Sequence, residues 1–240
     1  MPVLSIVIPA YNEAEFIGSL LEKIAAVPTE SAGYVKEIIV VDDGSKDDTA
    51  KIARGFPGVT VLTQVPNQGK GRAVQRGIRE STGEFVLVQD ADLEYDPEDY
   101  MSLIAALRPG VDTVYGSRTL GQRRRPGFTL FPGRHPEQDL GPWLAGQILT
   151  MWTFLLYGKW ITDTLTAYKL YPAEVVKTMR VETHGFETDH EITAKLIRGG
   201  HRIVEVPIAY HPRSVEAGKK IKPRDGLIAV WTLFKYRFVS

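Results

Sequence analysis

Four short apolar runs, each followed by a polar turn, constrain the fold more than any other feature of the sequence. The runs span residues 4–9, 36–41, 59–64 and 84–89. Their continuous apolar character is typical of strands that are buried on both faces in a parallel sheet. Helical patterns lie between the runs, over residues 13–26 with Asn12 as the N-cap, 48–54 and 72–80. Strands and helices that alternate in this way predict an α/β fold with a mostly parallel sheet flanked by helices.

Length, cysteine content and charge exclude several kinds of function. The 240 residues suffice for one large α/β domain or two small ones. The sequence has no cysteine, which excludes disulfides and thiolate metal sites. Equal numbers of basic and acidic residues, 29 of each, argue against non-specific binding to nucleic acid. No signal peptide, with a basic segment followed by an apolar one, is visible before the first predicted strand. We therefore expect a cytoplasmic protein.

Polar side chains follow the predicted strands at the points where ligands bind in open α/β sheets. They are Tyr11 and Glu13, Asp42 and Asp43, Lys70 between two glycines, and Asp90 with Asp92. The residue types fit a nucleotide, because an aromatic ring stacks on a base, a carboxylate accepts from base or ribose hydroxyl groups, and a lysine binds phosphate. The sequence therefore predicts a nucleotide site at this edge of the sheet.

The most acidic of these turns contains Asp90 and Asp92. Residues two apart in extended backbone point to the same side, so the two carboxylates repel each other unless a cation lies between them. Mg²⁺ and Mn²⁺ take such oxygen ligands and often share them with substrate phosphates. The alternative is a solvated acidic turn in which Asp96 caps a helix that begins at Pro97.

Two later segments carry large apolar side chains. Residues 140–158 include no charged residue, and this length is close to that of a bilayer span. Glycines, Pro142 and polar residues dilute the run, so we expect a buried or membrane-facing helix and keep a membrane span as the alternative. Residues 227–239 have the pattern of an amphipathic helix that packs on the core or lies on a membrane surface.

Four motifs in succession give the sequence a family resemblance. They are VIPAYNE at 7–13, VDDGS at 41–45, NQGKG at 67–71 and DADLE at 90–94. Together they resemble the motifs of family-2 GT-A glycosyltransferases, especially the branch of dolichol-phosphate mannose synthase and bacterial polyprenyl-phosphate glycosyltransferases. The resemblance implies one GT-A domain, Rossmann-like, over residues 1–226. It would comprise a nucleotide-sugar half (1–115) and an acceptor half (116–226), followed by a C-terminal helix (227–240).

The resemblance also implies roles for individual residues. Asp90 and Asp92 are expected to carry Mg²⁺ or Mn²⁺. Glu94 stands where that branch commonly has glutamine, and we count its carboxylate as a further metal ligand. Arg118, at the end of a GSR motif, is expected near phosphate and is counted among the catalytic candidates. The residues expected to bind the nucleotide sugar are Pro9, Tyr11, Glu13, Asp42, Lys70, Asp90, Ala91, Arg213, Lys219 and Lys220.

The acceptor half offers two candidate bases. Asp163 begins a segment similar to the family's acceptor-site segment, although TAY at 166–168 replaces the usual Ser-Gly-Phe. Glu187 shares a face with Glu191 on a helix predicted over 185–198, and solvated helix polarity is an equally good explanation for both. His190 is interpreted as structural. Residues 119–138, rich in glycine, proline and arginine, predict a long basic loop that suits an anionic lipid head group.

The resulting hypothesis is a metal-dependent, inverting transferase that moves a hexose from a GDP- or UDP-sugar to a polyprenyl or dolichyl phosphate. Such an acceptor oxygen is already anionic, whereas a hydroxyl acceptor in a glycolipid, polysaccharide or small molecule needs Asp163 or Glu187 as a base. A nucleotide-sugar-binding pseudoenzyme is the non-enzymatic alternative. A lipid acceptor implies peripheral contact with the inner face of a membrane.

Overall fold

The computed structural model describes residues 1–124, 131–212 and 223–239, and one seven-stranded sheet lies at its centre. The strands are β1 (Val3–Ala10), β2 (Val35–Asp42), β3 (Val59–Thr63), β4 (Phe85–Val88), β5 (Thr113–Ser117), β6 (Lys169–Pro172) and β7 (Ile203–Pro207). Their spatial order is β3-β2-β1-β4-β6-β5-β7. Only β6 runs antiparallel to its neighbours, β4 and β5. The predicted mostly parallel α/β fold is confirmed.

Helices flank the sheet. They are α1 (Ile17–Ala26), α2 (Thr49–Arg54), α3 (Lys70–Glu80), α4 (Tyr100–Ala105), α5 (Arg118–Arg123), α6 (Leu140–Tyr157), α7 (Ala173–Thr178), α8 (Thr188–Arg198) and α9 (Pro223–Phe238). Alternate residues of β1 face opposite sides of the sheet. Ile6 packs in the cluster that includes Ile17 and Leu20 of α1, whereas Val7 packs with Val74 of α3. Each such side chain contributes about 1.5–3 kcal/mol by its burial.

Two predicted helix caps have different outcomes. Asn12 is not an N-cap, because α1 begins only at Ile17. Instead, Asn12 adopts a left-handed backbone with a φ of 51°, which asparagine tolerates better than most residues, and its Oδ1 accepts from the Lys46 amide at 2.8 Å. Asp96 is a cap as predicted, since its Oδ1 accepts from the Glu98 amide at 3.2 Å. It caps a short 3₁₀ turn that leads into α4.

The predicted long loop over residues 119–138 is wrong in its first part. Helix α5 begins directly after β5, and the Ser117 hydroxyl accepts from the Leu120 amide at 3.1 Å. Serine is a strong N-cap residue, and this signal lay inside the GSR motif. Residues 125–130 lie outside the described residues.

Helices α6 and α9 pack against each other on one side of the domain. The Trp152 Nε1 donates to the Val230 carbonyl at 3.1 Å, and the Tyr157 hydroxyl donates to the Leu233 carbonyl at 2.6 Å. Helix α9 begins at Pro223, four residues earlier than expected, and buries Leu233 and Tyr236. No helix within the described ranges is both long enough and apolar enough to cross a membrane.

Gly71 lets α3 approach the loop that precedes α8. A Cβ at this position would lie 1.9 Å from the Thr188 Oγ1 and 2.8 Å from the Gly185 carbonyl oxygen. We therefore expect Gly71→Ala to lower the free energy of unfolding by about 2–3 kcal/mol, because the helix must move away. Urea denaturation measures the change.

Gly18 provides the matched control inside α1, since its added Cβ would meet the nearest atom, Ile52 Cγ2, at an ordinary 3.5 Å. Gly18→Ala should leave stability unchanged or raise it by up to about 1 kcal/mol. Equal effects of the two substitutions would contradict the close approach at Gly71.

Candidate active site

A cavity of about 760 Å³ opens where β1 and β4 end. It brings together most of the residues that the sequence singled out. Those that line it are Pro9, Tyr11, Glu13, Lys70, Asp90, Ala91, Asp92, Glu94, Arg118, Asp163 and Glu187. Asp42 is buried and is not a lining residue; its Oδ1 accepts from the Ser45 amide at 3.1 Å. Arg213, Lys219 and Lys220 lie outside the described residues.

Asp43 organises the loop that carries Lys70. Its Oδ1 accepts from the Gln64 side chain at 2.6 Å and from the Gln68 amide at 2.8 Å, while its Oδ2 accepts from the Gly69 amide at 2.8 Å. This buried carboxylate therefore ties the end of β2 to the start of α3. Asp43 lines the cavity and Asp42 does not; the nucleotide role that the family resemblance implies for Asp42 stays a prediction.

Lys70 and Asp90 form an ion pair in the cavity wall. The Lys70 Nζ lies 2.6 Å from Asp90 Oδ1. Burial by itself lowers the pKa of Lys70, but the charges of Asp90 and Asp189 raise it above its ordinary value. The amine is therefore a permanent cation at neutral pH. It can meet an anionic ligand at the point where the two parallel strands end.

The acidic turn after β4 fits a divalent cation that also takes ligands from a substrate. Asp90 and Asp92 both line the cavity, and Asp92 Oδ1 accepts from the Glu94 amide at 3.2 Å. Between them and Glu94, Leu93 has a φ of 57°, a left-handed conformation that costs energy for a residue with a branched side chain. Across the described ranges no three acidic or histidine side chains form a complete metal cage. One or two carboxylates suffice where phosphates supply the remaining ligands.

Arg118 is held in a fixed orientation by Asp163. The Nε and Nη2 of Arg118 each donate to a different oxygen of Asp163, both at 2.7 Å, and the Arg118 amide adds a third bond at 3.0 Å. Burial alone would lower the pKa of Arg118, but the charge of Asp163 raises it well above its usual range. Asp163, predicted as a possible base, is thus the partner of the arginine.

Glu187 and Glu191 do not form a shared solvated face. Glu187 Oε1 accepts from the Gly185 amide at 3.1 Å and lines the cavity. Glu191 is fully buried, where it accepts from the Thr183 amide at 2.8 Å and pairs with Lys195 at 2.6 Å. Glu191 therefore stabilises the segment before α8, and Glu187 alone of the two reaches the candidate site.

Two charged side chains near the cavity were not singled out from the sequence: Lys169 and Asp189. Lys169 lies on β6 with no exposed surface, and its Nζ is 3.3 Å from Asp189 Oδ1. Burial lowers the pKa of Lys169 against the opposing charge of Asp189. Asp189 and the buried His190 both line the cavity. For Asp189 and His190 the available signal was the polar run of residues 187–191, which lacks a pattern that separates ligands from structural residues.

The sequence is similar to those of known proteins. The family model described as "Glycosyl transferase family 2" matches residues 5–153. A low-salt glycan biosynthesis hexosyltransferase of Haloferax volcanii is 28% identical over 100% of this chain and 54% of that protein. A dolichol-phosphate mannosyltransferase of Pyrococcus furiosus is 29% identical over 97% of this chain and 61% of that protein. The chain thus spans little more than half the length of these two relatives.

A solved structure shares the fold. The glucosyl-3-phosphoglycerate synthase of Mycobacterium tuberculosis, crystallised with Mn²⁺, uridine diphosphate and phosphoglyceric acid, superposes with a TM-score of 0.71. The alignment covers 100% of this chain and 80% of that one, at 20% sequence identity. At this identity the similarity establishes a common fold.

His190 should make stability depend on pH. Burial lowers its pKa from 6.5 to about 4, so between these values the unfolded chain binds a proton that the folded chain does not. The stability that His190 provides is complete above pH 6.5 and is lost as the pH falls toward 4. Between pH 7 and pH 5 we expect a loss of about 2 kcal/mol, measured by urea denaturation.

His190→Phe removes the titrating group and should reduce this pH dependence. His211, which is exposed, offers the matched control variant His211→Phe, for which we expect the pH dependence of the parent protein. An unchanged loss of stability in His190→Phe would assign the effect to other groups.

Proposed function

We propose that this chain, which belongs to glycosyl transferase family 2, is a glycosyltransferase that moves a hexose from a nucleotide-diphosphate sugar to a polyprenyl or dolichyl phosphate. One observation carries the proposal. A single cavity contains both the Lys70–Asp90 pair with Asp92 beside it and the Arg118 guanidinium. The first group suits a donor diphosphate and the second suits a separate acceptor phosphate.

The donor would bind along the ends of β1 and β4. Tyr11 and Pro9 line the cavity where a nucleoside can stack, and Lys70 offers its charge to the diphosphate. A divalent cation held by Asp90, Asp92 and Glu94 would stabilise the negative charge on the departing diphosphate. The Mycobacterium tuberculosis synthase, which was crystallised with Mn²⁺ and uridine diphosphate, supports this assignment.

The acceptor phosphate would bind near Arg118. This guanidinium lies 5.0 Å from the ring centroid of Tyr210, and Asp163 fixes its planar fork. Glu205 supports Asp163 in turn, because its Oε1 accepts from the Asp163 amide at 3.1 Å. The Pyrococcus furiosus relative, by name a dolichol-phosphate mannosyltransferase, supports a lipid phosphate as acceptor.

The two candidate bases favour a phosphate acceptor over a hydroxyl group. Asp163 accepts three hydrogen bonds from Arg118, and Glu187 accepts from the amide of Gly185. In both carboxylates, oxygens that a hydroxyl acceptor would have to reach already accept hydrogen bonds from the protein. A phosphate oxygen needs no base, and its in-line attack on the sugar carbon would invert the configuration there.

An exposed apolar surface on α6 and α9 supports contact with a membrane. On α6 it includes Leu144, Ile148 and Leu155, and on α9 it includes Trp231 and Phe238. The same two helices contribute Trp143 and Ala229 to the cavity lining, so they border both the apolar surface and the site. The exposed basic residues Arg224 and Arg237 accompany it on α9. Apolar side chains with flanking basic residues suit the interface of an anionic bilayer.

We expect the protein to sediment with vesicles of phosphatidylcholine and phosphatidylserine, and less with phosphatidylcholine alone. The variant Trp231→Ser/Phe238→Ser should bind at least about 10-fold more weakly, because two large apolar side chains no longer enter the bilayer. Val65→Ser changes a residue that is 77% exposed between β3 and α3 and should bind as the parent does. Equal binding of all three proteins would refute a role for the α9 surface.

The reaction is tested by the release of nucleotide from a panel of UDP- and GDP-sugars with Mn²⁺ or Mg²⁺ and a polyprenyl phosphate. We expect one donor to react, only with lipid and metal. Asp92→Asn should reduce the rate by about 100-fold, because it removes a charge that would hold the metal on the leaving diphosphate.

Asp96→Asn is the matched control in the same acidic run. Asp96 caps the next turn and does not line the cavity, so the rate should stay within about twofold of the parent. If nucleotide release did not depend on the lipid but required a soluble sugar, the acceptor would be a hydroxyl group and the proposed lipid phosphate would be wrong.

A further inference from the structure

Lys169 is a charged side chain in the middle of the sheet. It begins β6, which lies between β4 and β5, and no part of its side chain is exposed. Its Nζ pairs with Asp189 Oδ1 at 3.3 Å, donates to the Thr164 carbonyl at 3.4 Å and lies 5.2 Å from the centroid of the Tyr115 ring. A buried ammonium group is costly unless it is paired, and such a pair seldom adds net stability.

The partner of this lysine faces the ligand site. Asp189 lines the cavity, and 15% of its side chain is exposed. A chain of contacts holds its backbone, since the Thr193 hydroxyl donates to the Asp189 carbonyl at 2.7 Å and also bonds with the Tyr115 hydroxyl at 2.8 Å. The positive charge thus lies behind the carboxylate, on a rigid central strand, while the carboxylate borders the cavity.

The charge of Asp189 identifies the kind of group that it can bind. A carboxylate repels a diphosphate, whereas it is a strong acceptor for hydroxyl hydrogens. Asp90 and Asp163 pair with cations that themselves line the cavity, Lys70 and Arg118. The cation that pairs with Asp189 is not among the lining residues. A nucleotide sugar offers such a carboxylate the N–H groups of its base and the hydroxyl groups of its ribose and of its sugar. The charge of Asp189 acts on Lys70, which we place at the diphosphate and away from the base, so hydroxyl groups are the donors within its reach.

We propose that Lys169 is a positioning residue that holds Asp189 at the cavity wall, and that Asp189 accepts hydrogen bonds from hydroxyl groups of the donor's sugar. This inference rests on the proposed use of a nucleotide sugar. Lys169 does not touch the substrate in this arrangement. It acts through Asp189, whose position it fixes.

Binding measurements separate the sugar from the nucleotide. Isothermal titration calorimetry with Mn²⁺ compares UDP with UDP-glucose and GDP with GDP-mannose. One of the two sugar nucleotides is expected to bind to the parent protein. Asp189→Asn and Lys169→Met should each lower the affinity for it by about 10- to 100-fold, because a hydrogen bond to a charged group is lost. Affinity for the free nucleoside diphosphate should stay within about twofold of the parent.

The double variant Lys169→Met/Asp189→Asn tests whether Lys169 acts through Asp189. It should bind the sugar nucleotide no more weakly than Asp189→Asn alone, since the lysine has no other route to the ligand. It also leaves no unpaired buried charge. Its binding can therefore still be measured if Lys169→Met does not fold.

Lys195→Met is the matched control, because Lys195 pairs with the buried Glu191 on the same helix as Asp189 and neither residue lines the cavity. It should lower the melting temperature and leave both affinities unchanged. Three results would overturn the inference: losses in the single variants that multiply in the double, equal losses for nucleotide and sugar nucleotide, or unchanged binding of the sugar nucleotide. A parent protein that binds none of the four ligands would overturn the proposed function, and this inference with it.

Discussion

The reversed direction of β6 is the constraint on which the site depends. If all seven strands were parallel, only carboxyl ends of strands would lie at the cavity, but β6 presents its amino end there. The segment before β6 therefore enters the same edge at which β5 ends. This geometry brings Asp163 to Arg118 and places Lys169 behind Asp189.

Ion pairs orient the cationic side chains of the cavity before any anion binds. Lys70 and Arg118, which line the cavity, each have a carboxylate partner, at 2.6 and 2.7 Å. Because these side chains are largely buried and already oriented, little reorganisation is needed when negative charge enters or develops. Asp43 contributes in the same way, since its three hydrogen bonds order the loop before Lys70 in advance of any ligand.

Local patterns predicted the parts of the molecule that depend on local sequence. Strands β1 to β4 and the cavity positions of Tyr11, Lys70, Asp90 and Asp92 follow from buried apolar runs and the turns after them. Strand β6 was missed because it has four residues and begins with a lysine. The pairing of Arg118 with Asp163 joins residues 45 apart, and no local periodicity carries that information. Asn12 failed as a cap because its side chain bonds across the sheet edge rather than within its own helix.

Helices α6 and α9 line the cavity with some of their side chains and form the exposed apolar surface with others. For an enzyme resting on a bilayer through that surface, the search for a lipid acceptor becomes two-dimensional. Lateral diffusion within the leaflet replaces extraction of the lipid into water. The rate of encounter would then follow the surface density of the acceptor lipid rather than its bulk concentration.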